Sequence, residues 1–297
     1  MEVIRSNIVG YCSGVSRAID IITDAIKLSK KLNKKVYSLG YIIHNPQVVK
    51  KMEDYGVEII EEADAFTVEP GIVVLRAHGV SDKVRRTFLN MGFYLYDATC
   101  PIVLKEQNMV YNAPSNYNII IIGGKQHPEA LALKNVETRN KKIIISEVSE
   151  ISKLPFDKNL FVIIQSTFPS GMSLDIESSL QNFANRKALE IYFANKLCNS
   201  NQRRRDAVAE LSNNCNCIVV IGGKNSSNTR GLYNYCINNG VESYLISSKE
   251  EIPDKLYKYD TIGLATGTST PLFVIEEIEE KLKRGKLKWN IKFQSLQ

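Results

Sequence analysis

The amino-acid sequence predicts an α/β fold made of three pseudo-threefold-related modules, each carrying a small, mainly parallel sheet. Three observations lead there. Short Val/Ile-rich runs alternate with helical stretches, the pattern of parallel strands joined by crossover helices. The same order of pieces recurs three times, each copy about 90 to 100 residues long. Each principal apolar run ends in a polar loop that opens a helix.

The first strand and its loop read Val36–Leu39 with His44-Asn45-Pro46, 119–124 with His127-Pro128-Glu129, and 218–223 with Ser226-Ser227-Asn228. A second short strand follows at Val57–Ile60, Lys142–Ile145 and Ser243–Ile246. A third strand has its own polar end: Ile72–Leu75 enters Ala77-His78-Gly79, 160–164 enters Gln165-Ser166-Thr167, and 261–265 enters Thr266-Gly267-Thr268-Ser269. In parallel sheets ligands collect beyond the carboxyl ends of the strands, so six polar loops are expected to face one side. All three histidines, His44, His78 and His127, lie in these loops.

With 297 residues, 44% hydrophobic and 24% charged, the chain is globular; disorder, collagen-like fibre and a small disulfide scaffold are excluded. A net charge of +6 suits an anionic small molecule, an acidic protein or nucleic acid without choosing among them. A non-enzymatic redox sensor or RNA-binding protein would need a basic stripe interleaved with exposed aromatics, and no such stripe is visible. No apolar run approaches the roughly 18 residues of a membrane span, so a soluble protein is expected. Six scattered cysteines point to a reducing compartment. Met1 stands too close to Cys12 to leave room for a targeting peptide, so any such segment is absent or trimmed. Abundant Lys, Asn and Ile suggest a low-GC bacterium or an apicomplexan-type genome, hence bacterial cytoplasm, or plastid or apicoplast stroma if a transit peptide was removed.

Three cysteines keep the register of the repeat. Cys12, Cys100 and Cys198 each precede the helix that leads into the first strand of a copy. Equivalent positions about a pseudo-threefold axis would bring three thiols together. They could hold an iron–sulfur cluster with one iron open, or a zinc ion serving a phosphate-ester hydrolase; the first protein is brown, the second colourless. Cys215, Cys217 and Cys236 are read as structural, since free cysteine is usually a small buried hydrophobe. Imidazole, hydroxyl and amide groups with helix N-terminal N–H groups suit a diphosphate, whose oxygens need many donors. Glu129 at a helix start is either a capping acid or, among anion-binding groups, a proton relay. Arg203-Arg204-Arg205 is read as a solvated helix face, with a docking patch for an acidic redox partner as its alternative.

Eight motifs occur in order: Gly10-Tyr11-Cys12-Ser13-Gly14-Val15, Ile43-His44-Asn45, Ala77-His78-Gly79-Val80, Asp97-Ala98-Thr99-Cys100-Pro101, His127-Pro128-Glu129, Gln165-Ser166-Thr167, Lys224-Asn225-Ser226-Ser227-Asn228 and Thr268-Ser269-Thr270-Pro271. Together they resemble the 4-hydroxy-3-methylbut-2-enyl diphosphate reductase (IspH/LytB) family, from about Val3 to Ile278. The resemblance implies one 4Fe-4S cluster with three ligands, Cys12, Cys100 and Cys198, and an open fourth iron. It implies diphosphate binding by His44, His78, His127, Ser226, Asn228 and Ser269, with Ser227 close by, and proton delivery by Glu129 supported by Ser166 or Thr167. The reaction would be a two-electron reductive dehydroxylation giving isopentenyl and dimethylallyl diphosphate, fed by ferredoxin or flavodoxin.

The implied organisation is three α/β modules around the cluster, at 14–99, at 100–197, and at 198–285 joined by 1–13, followed by a tail at 286–297. The chain departs from the family pattern at several positions. Tyr11 and Ser13 flank the first cysteine in place of Phe and a small residue, and Gly124 stands where His is common. Ser166 stands in place of Thr, Asn201 in place of Thr and Arg205 in place of Gln. These leave the ligands intact and touch the tuning around them.

Overall fold

A parallel strand covered on both faces needs apolar side chains at every position, whereas a half-exposed strand alternates. The isoleucine run 119–122 is fully buried, and the run 160–164 beside it in the sheet is buried as well. The structure, a computed structural model, describes residues 1–43, 45–154 and 158–294, with Ala65 and 286–294 described by backbone alone.

Strand β1 (Glu2–Arg5) is followed by helix α1 (Ser13–Leu32), then β2 (Val36–Leu39), α2 (Pro46–Asp54), β3 (Val57–Ile60), β4 (Ile72–Leu75), α3 (Asp82–Asn90) and β5 (Tyr94–Asp97). Helix α4 (Pro101–Tyr111) leads to β6 (Tyr117–Ile122), α5 (Pro128–Lys134), β7 (Lys142–Ile145), β8 (Asn159–Ile164), α6 (Ser170–Arg186) and β9 (Ile191–Phe193). Helix α7 (Asn199–Ser212) leads to β10 (Cys217–Ile221), α8 (Ser227–Asn238), β11 (Ser243–Ile246), β12 (Thr261–Thr266) and α9 (Leu272–Gln294). Helix α9 carries the backbone through most of the expected tail; 295–297 lie outside the described residues.

Among the described residues twelve strands form three four-stranded sheets in the orders β3-β2-β4-β5, β7-β6-β8-β9 and β11-β10-β12-β1. Every pairing is parallel. The order is the same each time, second strand, first, third, fourth, and the fourth strand of the last sheet is β1. By contacts the chain divides into two compact units. One comprises Met1–Val15, Ile43–Lys50 and Asn199–Gln297 and holds the β1 sheet; the other comprises Ser16–Ile42 and Lys51–Cys198 and holds the other two.

The repeat reading found three strands per copy; the sheets have four. The missed strands β5 and β9 are edge strands whose tyrosines are partly exposed, so no continuous apolar run marks them. The covered strands follow the expected physics. Ile120 and Ile122 pack with Ile176 and Leu180 of α6, while Ile119 and Ile121 pack with Val110 of α4 and Leu133 of α5. Val219 and Leu264 pack under Ile275 and Ile278 of α9, and Ile218 and Val220 under Val208 of α7 and Leu232 of α8. In the first sheet Leu39 and Val73 pack with Phe88. Parallel strands put all carboxyl ends of a sheet on one side, and the polar loops start there.

Candidate active site

Each of the three register cysteines follows the fourth strand of a sheet and directly precedes a helix: Cys12 lies between β1 and α1, Cys100 between β5 and α4, Cys198 between β9 and α7. Unpaired N–H groups at a helix start favour negative charge. All three are half-exposed, whereas Cys217 and Cys236 are buried.

In the first unit the Cys12 N–H donates to the Thr268 carbonyl at 3.0 Å. The preceding turn passes through Gly10 with φ +80°, a left-handed conformation that favours glycine. Arg204 holds this turn from α7. Its guanidinium donates to the carbonyls of Gly10 at 2.7 Å, Thr266 at 3.0 Å and Ile8 at 3.3 Å, and to Thr266 Oγ1 at 2.9 Å. The reading of Arg203-Arg204-Arg205 as a solvated face is therefore corrected: Arg204 is 4% exposed, while Arg203 is exposed and Arg205 half-buried over the Tyr235 ring. Three charges in a row cannot share one helix face, and the central one turns inward because carbonyls without partners wait there.

The same unit gathers hydroxyl and amide groups at the ends of β10 and β12. Ser226 caps α8, its Oγ accepting from the Thr229 N–H at 3.4 Å, with Ser227 as the first helical residue. The Asn228 amide and the Thr268 hydroxyl are joined at 2.5 Å. The other terminal atom of that amide and the Ser269 hydroxyl are buried without a protein partner. An amide can present its oxygen or its NH2 there by turning over. Unsatisfied buried polar groups are costly, and a polyanion is what hydroxyl and amide donors suit. Asn45 steadies the edge: its Nδ2 donates to the Ser269 carbonyl at 3.0 Å and its Oδ1 accepts from the Gln47 and Val48 N–H groups that open α2. His44 lies outside the described residues.

In the second unit Cys100 occupies the N-cap of α4 with Pro101 as the first helical residue, and its N–H donates to the Ala77 carbonyl at 2.9 Å. Arg17 donates to the carbonyls of Thr99 and Asp97 at 2.9 and 3.2 Å, fixing the approach to Cys100. Burial works to raise the Asp97 carboxyl, but bonds from the Thr99 hydroxyl and N–H and the Arg85 guanidinium hold it below the ordinary value.

His78 follows Ala77, and its ring meets that of His127 edge-on with centroids 5.4 Å apart. His127 caps α5, its Nδ1 accepting from the Glu129 N–H at 3.2 Å. An accepting Nδ1 assigns the ring proton to Nε2, a neutral imidazole with its donor on the far side.

Glu129 is 1% exposed. Its Oε1 accepts from the Ser166 N–H and its Oε2 from the Ser166 hydroxyl at 3.0 Å. Burial raises its pKa above the ordinary carboxylate value, and the Ser166 bonds pull part of the way back. The Ser166 carbonyl in turn accepts from the Cys198 N–H at 3.0 Å. Thr167 faces elsewhere: its hydroxyl accepts from Gln165 Nε2 at 2.8 Å, and Gln165 Oε1 accepts from the Gly124 N–H at 2.9 Å. Of the two hydroxyls expected to support Glu129, Ser166 touches it.

Two participants escaped the sequence reading. Arg204 sits in a charged triplet whose sequence reads as surface, and Glu106, buried in α4 beside Glu129, lies in none of the eight motifs. A charged residue at a core-facing helix position, Glu106 between Val103 and Val110, was the available signal.

The family model described as LytB protein matches residues 3–283. A 4-hydroxy-3-methylbut-2-enyl diphosphate reductase of Caldanaerobacter subterraneus subsp. tengcongensis is 38% identical over 286 residues, 95% of this chain and 97% of that protein. The like-named protein of Clostridium perfringens is 35% identical over 287 residues, 95% and 98% of the two chains. Among solved structures, the E-1-hydroxy-2-methyl-but-2-enyl-4-diphosphate reductase from Plasmodium falciparum is similar with a TM-score of 0.82 and 29% identity, covering 95% of this chain and 87% of that one. A structure of (E)-4-hydroxy-3-methyl-but-2-enyl diphosphate reductase is similar with a TM-score of 0.72 and 26% identity over 96% and 100% of the chains. None of these relatives is a zinc hydrolase, and that alternative finds no support. The repeated sheets, the spaced cysteines and the likeness along nearly the whole length lead to one assignment: the chain belongs to the LytB protein family.

Proposed function

We propose that Cys12, Cys100 and Cys198 hold one 4Fe-4S cluster with an open iron, and that Glu129 is the proton donor of a reductive dehydroxylation. The activity comes with the family: the chain is an oxidoreductase of isoprenoid biosynthesis, reducing 4-hydroxy-3-methylbut-2-enyl diphosphate to isopentenyl and dimethylallyl diphosphate in the last step of the methylerythritol phosphate route. The observation that carries the residue roles is the Ser166 bridge. One residue binds the Glu129 carboxyl with two donors and a register cysteine with its carbonyl.

The donor set suits an iron–sulfur group: three half-exposed cysteines, each at a helix start. When bound, such a cluster supplies electrons and a Lewis-acidic iron. The chain's own residues do the rest. Ser226, Ser227, Asn228 and Ser269, with His44, His78 and His127, hold the diphosphate oxygens as donors. His127 offers Nε2–H because its Nδ1 is engaged. Glu129, kept protonated toward neutral pH by burial, delivers a proton, with Ser166 orienting the carboxyl, while the Thr167 hydroxyl is engaged by Gln165 instead. Overall the substrate alcohol takes up two electrons and two protons and releases its hydroxyl oxygen as water.

The modules follow the sheets: 14–99, 100–197, and 198–285 with 1–13, supported by the identical strand order. Electrons come from a ferredoxin or flavodoxin, in a reducing compartment, the bacterial cytoplasm or a plastid or apicoplast stroma. Among the described residues no helix is long and apolar enough to cross a membrane. The test is oxygen-free purification with iron and sulfide analysis and visible spectra with and without the hydroxylated C5 diphosphate. Four irons per chain, a brown colour perturbed by substrate and turnover are expected for a 4Fe-4S protein; a colourless protein that takes up zinc instead overturns the reading.

A further inference from the structure

Glu106 is buried at 2% exposure in the middle of α4. Its Oε1 accepts from Asn195 Nδ2 at 2.8 Å. Asn195 is itself pinned to strand β8: its Nδ2 also donates to the Ile164 carbonyl and its Oδ1 accepts from the Ile164 N–H, both at 2.8 Å. Glu106 Oε2 is buried and finds no donor. The neighbouring ionisable group is the carboxyl of Glu129, which lies close enough to interact with it. Two carboxylate oxygens are both acceptors, so this contact is a hydrogen bond only when one of the two groups carries a proton. Two like charges in a dry site cannot both persist.

Resting on the functional reading above, we propose that Glu106 is a positioning residue for Glu129, a protonated carboxyl that donates to it and reloads it after it has given its proton to the substrate. In the reloading step the proton on Glu106 Oε2 moves to a Glu129 oxygen and the bonding electron pair stays on Oε2. Glu106 becomes a carboxylate steadied by the Asn195 bond and regains a proton from solvent before the next turnover. No electrons are exchanged between the two groups. The pair can therefore hold both protons that the reaction consumes. Burial, followed by the charge of Glu129, pushes the Glu106 carboxyl well above the ordinary range.

The test compares wild type, Glu106→Gln and Glu129→Gln as holoenzymes by infrared spectroscopy and steady-state kinetics. Gln at 106 keeps the Asn195 bond and a donor toward Glu129 but has no proton to give. The wild type is expected to show a carboxylic C=O stretch at mildly alkaline pH, shifted by deuterium, which Glu106→Gln loses and Glu129→Gln keeps. In Glu106→Gln kcat falls about tenfold or more with KM unchanged. If that variant does not fold, Glu106→Val, which fills the space with apolar surface, is read by the same kcat-against-KM split. Wild-type kcat in the variant, or a band that vanishes in Glu129→Gln instead, overturns the proposal. A wild type without turnover that still shows the band and loses it in Glu106→Gln overturns the functional reading and leaves the pair standing.

Discussion

The Cys198 N–H donates to the Ser166 carbonyl at 3.0 Å, while the N–H and hydroxyl of the same serine bind Glu129. Hydrogen bonds to a charged carboxylate are worth about 1.5–3 kcal/mol. Removing the hydroxyl with Ser166→Ala should lower kcat roughly tenfold to a hundredfold. The sign for pH follows from the direction of each influence. Burial raises Glu129, and the Ser166 bonds lower it by favouring the charged form. Without the hydroxyl the carboxyl stays protonated to higher pH, so the alkaline fall of the rate moves upward. Ser166→Thr keeps the hydroxyl and should keep both rate and limb; pH–rate profiles of the three proteins decide it.

Arg204 should be the costly member of its triplet. Arg204→Met leaves the buried carbonyls of Gly10 and Thr266 without donors, a loss of roughly 2–4 kcal/mol. The turn before Cys12 loosens with it, so iron content is expected to fall in the same variant. Arg203→Met, on the exposed side, should stay within about 0.5 kcal/mol of wild type. Urea denaturation with iron analysis reads both.

The thiols should sort by reactivity in protein stripped of iron. Burial, then the charge of Glu242, pushes the Cys217 thiol up to about 12, and burial raises Cys236 as well. Brief alkylation near neutral pH, followed by mass spectrometry, should label the half-exposed Cys12, Cys100 and Cys198 and spare Cys217 and Cys236 until the protein is denatured. Labelling of Cys217 in the folded chain would contradict this. Cys198→Ser should lose iron, Cys236→Ala should retain it.

On α7, Arg203 is exposed and Arg205 is half-buried over the Tyr235 ring. Changing both to glutamate should slow reduction by an acidic carrier protein and flatten or reverse its salt dependence, with artificial-dye activity kept. An unchanged rate with the protein donor sinks the docking surface.

What the sequence showed and what it hid follow from burial. The run 119–122 declared itself because both faces of the sheet are covered. Tyr94–Asp97 and Ile191–Phe193 did not, because an edge strand needs only one partner and tolerates exposed tyrosine. The placement of Cys12, Cys100, Cys198, His78, His127 and Glu129 between strand ends and helix starts was legible through the spacing of strand, loop and helix. Arg204 and Glu106 were not, because charge on a helix reads as solvent-facing unless its partners are known. Those partners, the carbonyls of Gly10 and Thr266 and the carboxyl of Glu129, lie far away in the sequence.

Strand β1 pairs Glu2 to Arg5 with Thr261 to Leu264. Strand β1 is thus made long before its place exists, since its hydrogen-bonding edge is absent until β12 has been synthesised. During translation the sheets of β2 to β9 can mature while the leading residues wait, a contact of very high sequence separation closing the fold. A chain truncated before β12 would leave both that strand's slot and the Cys12 turn without a template.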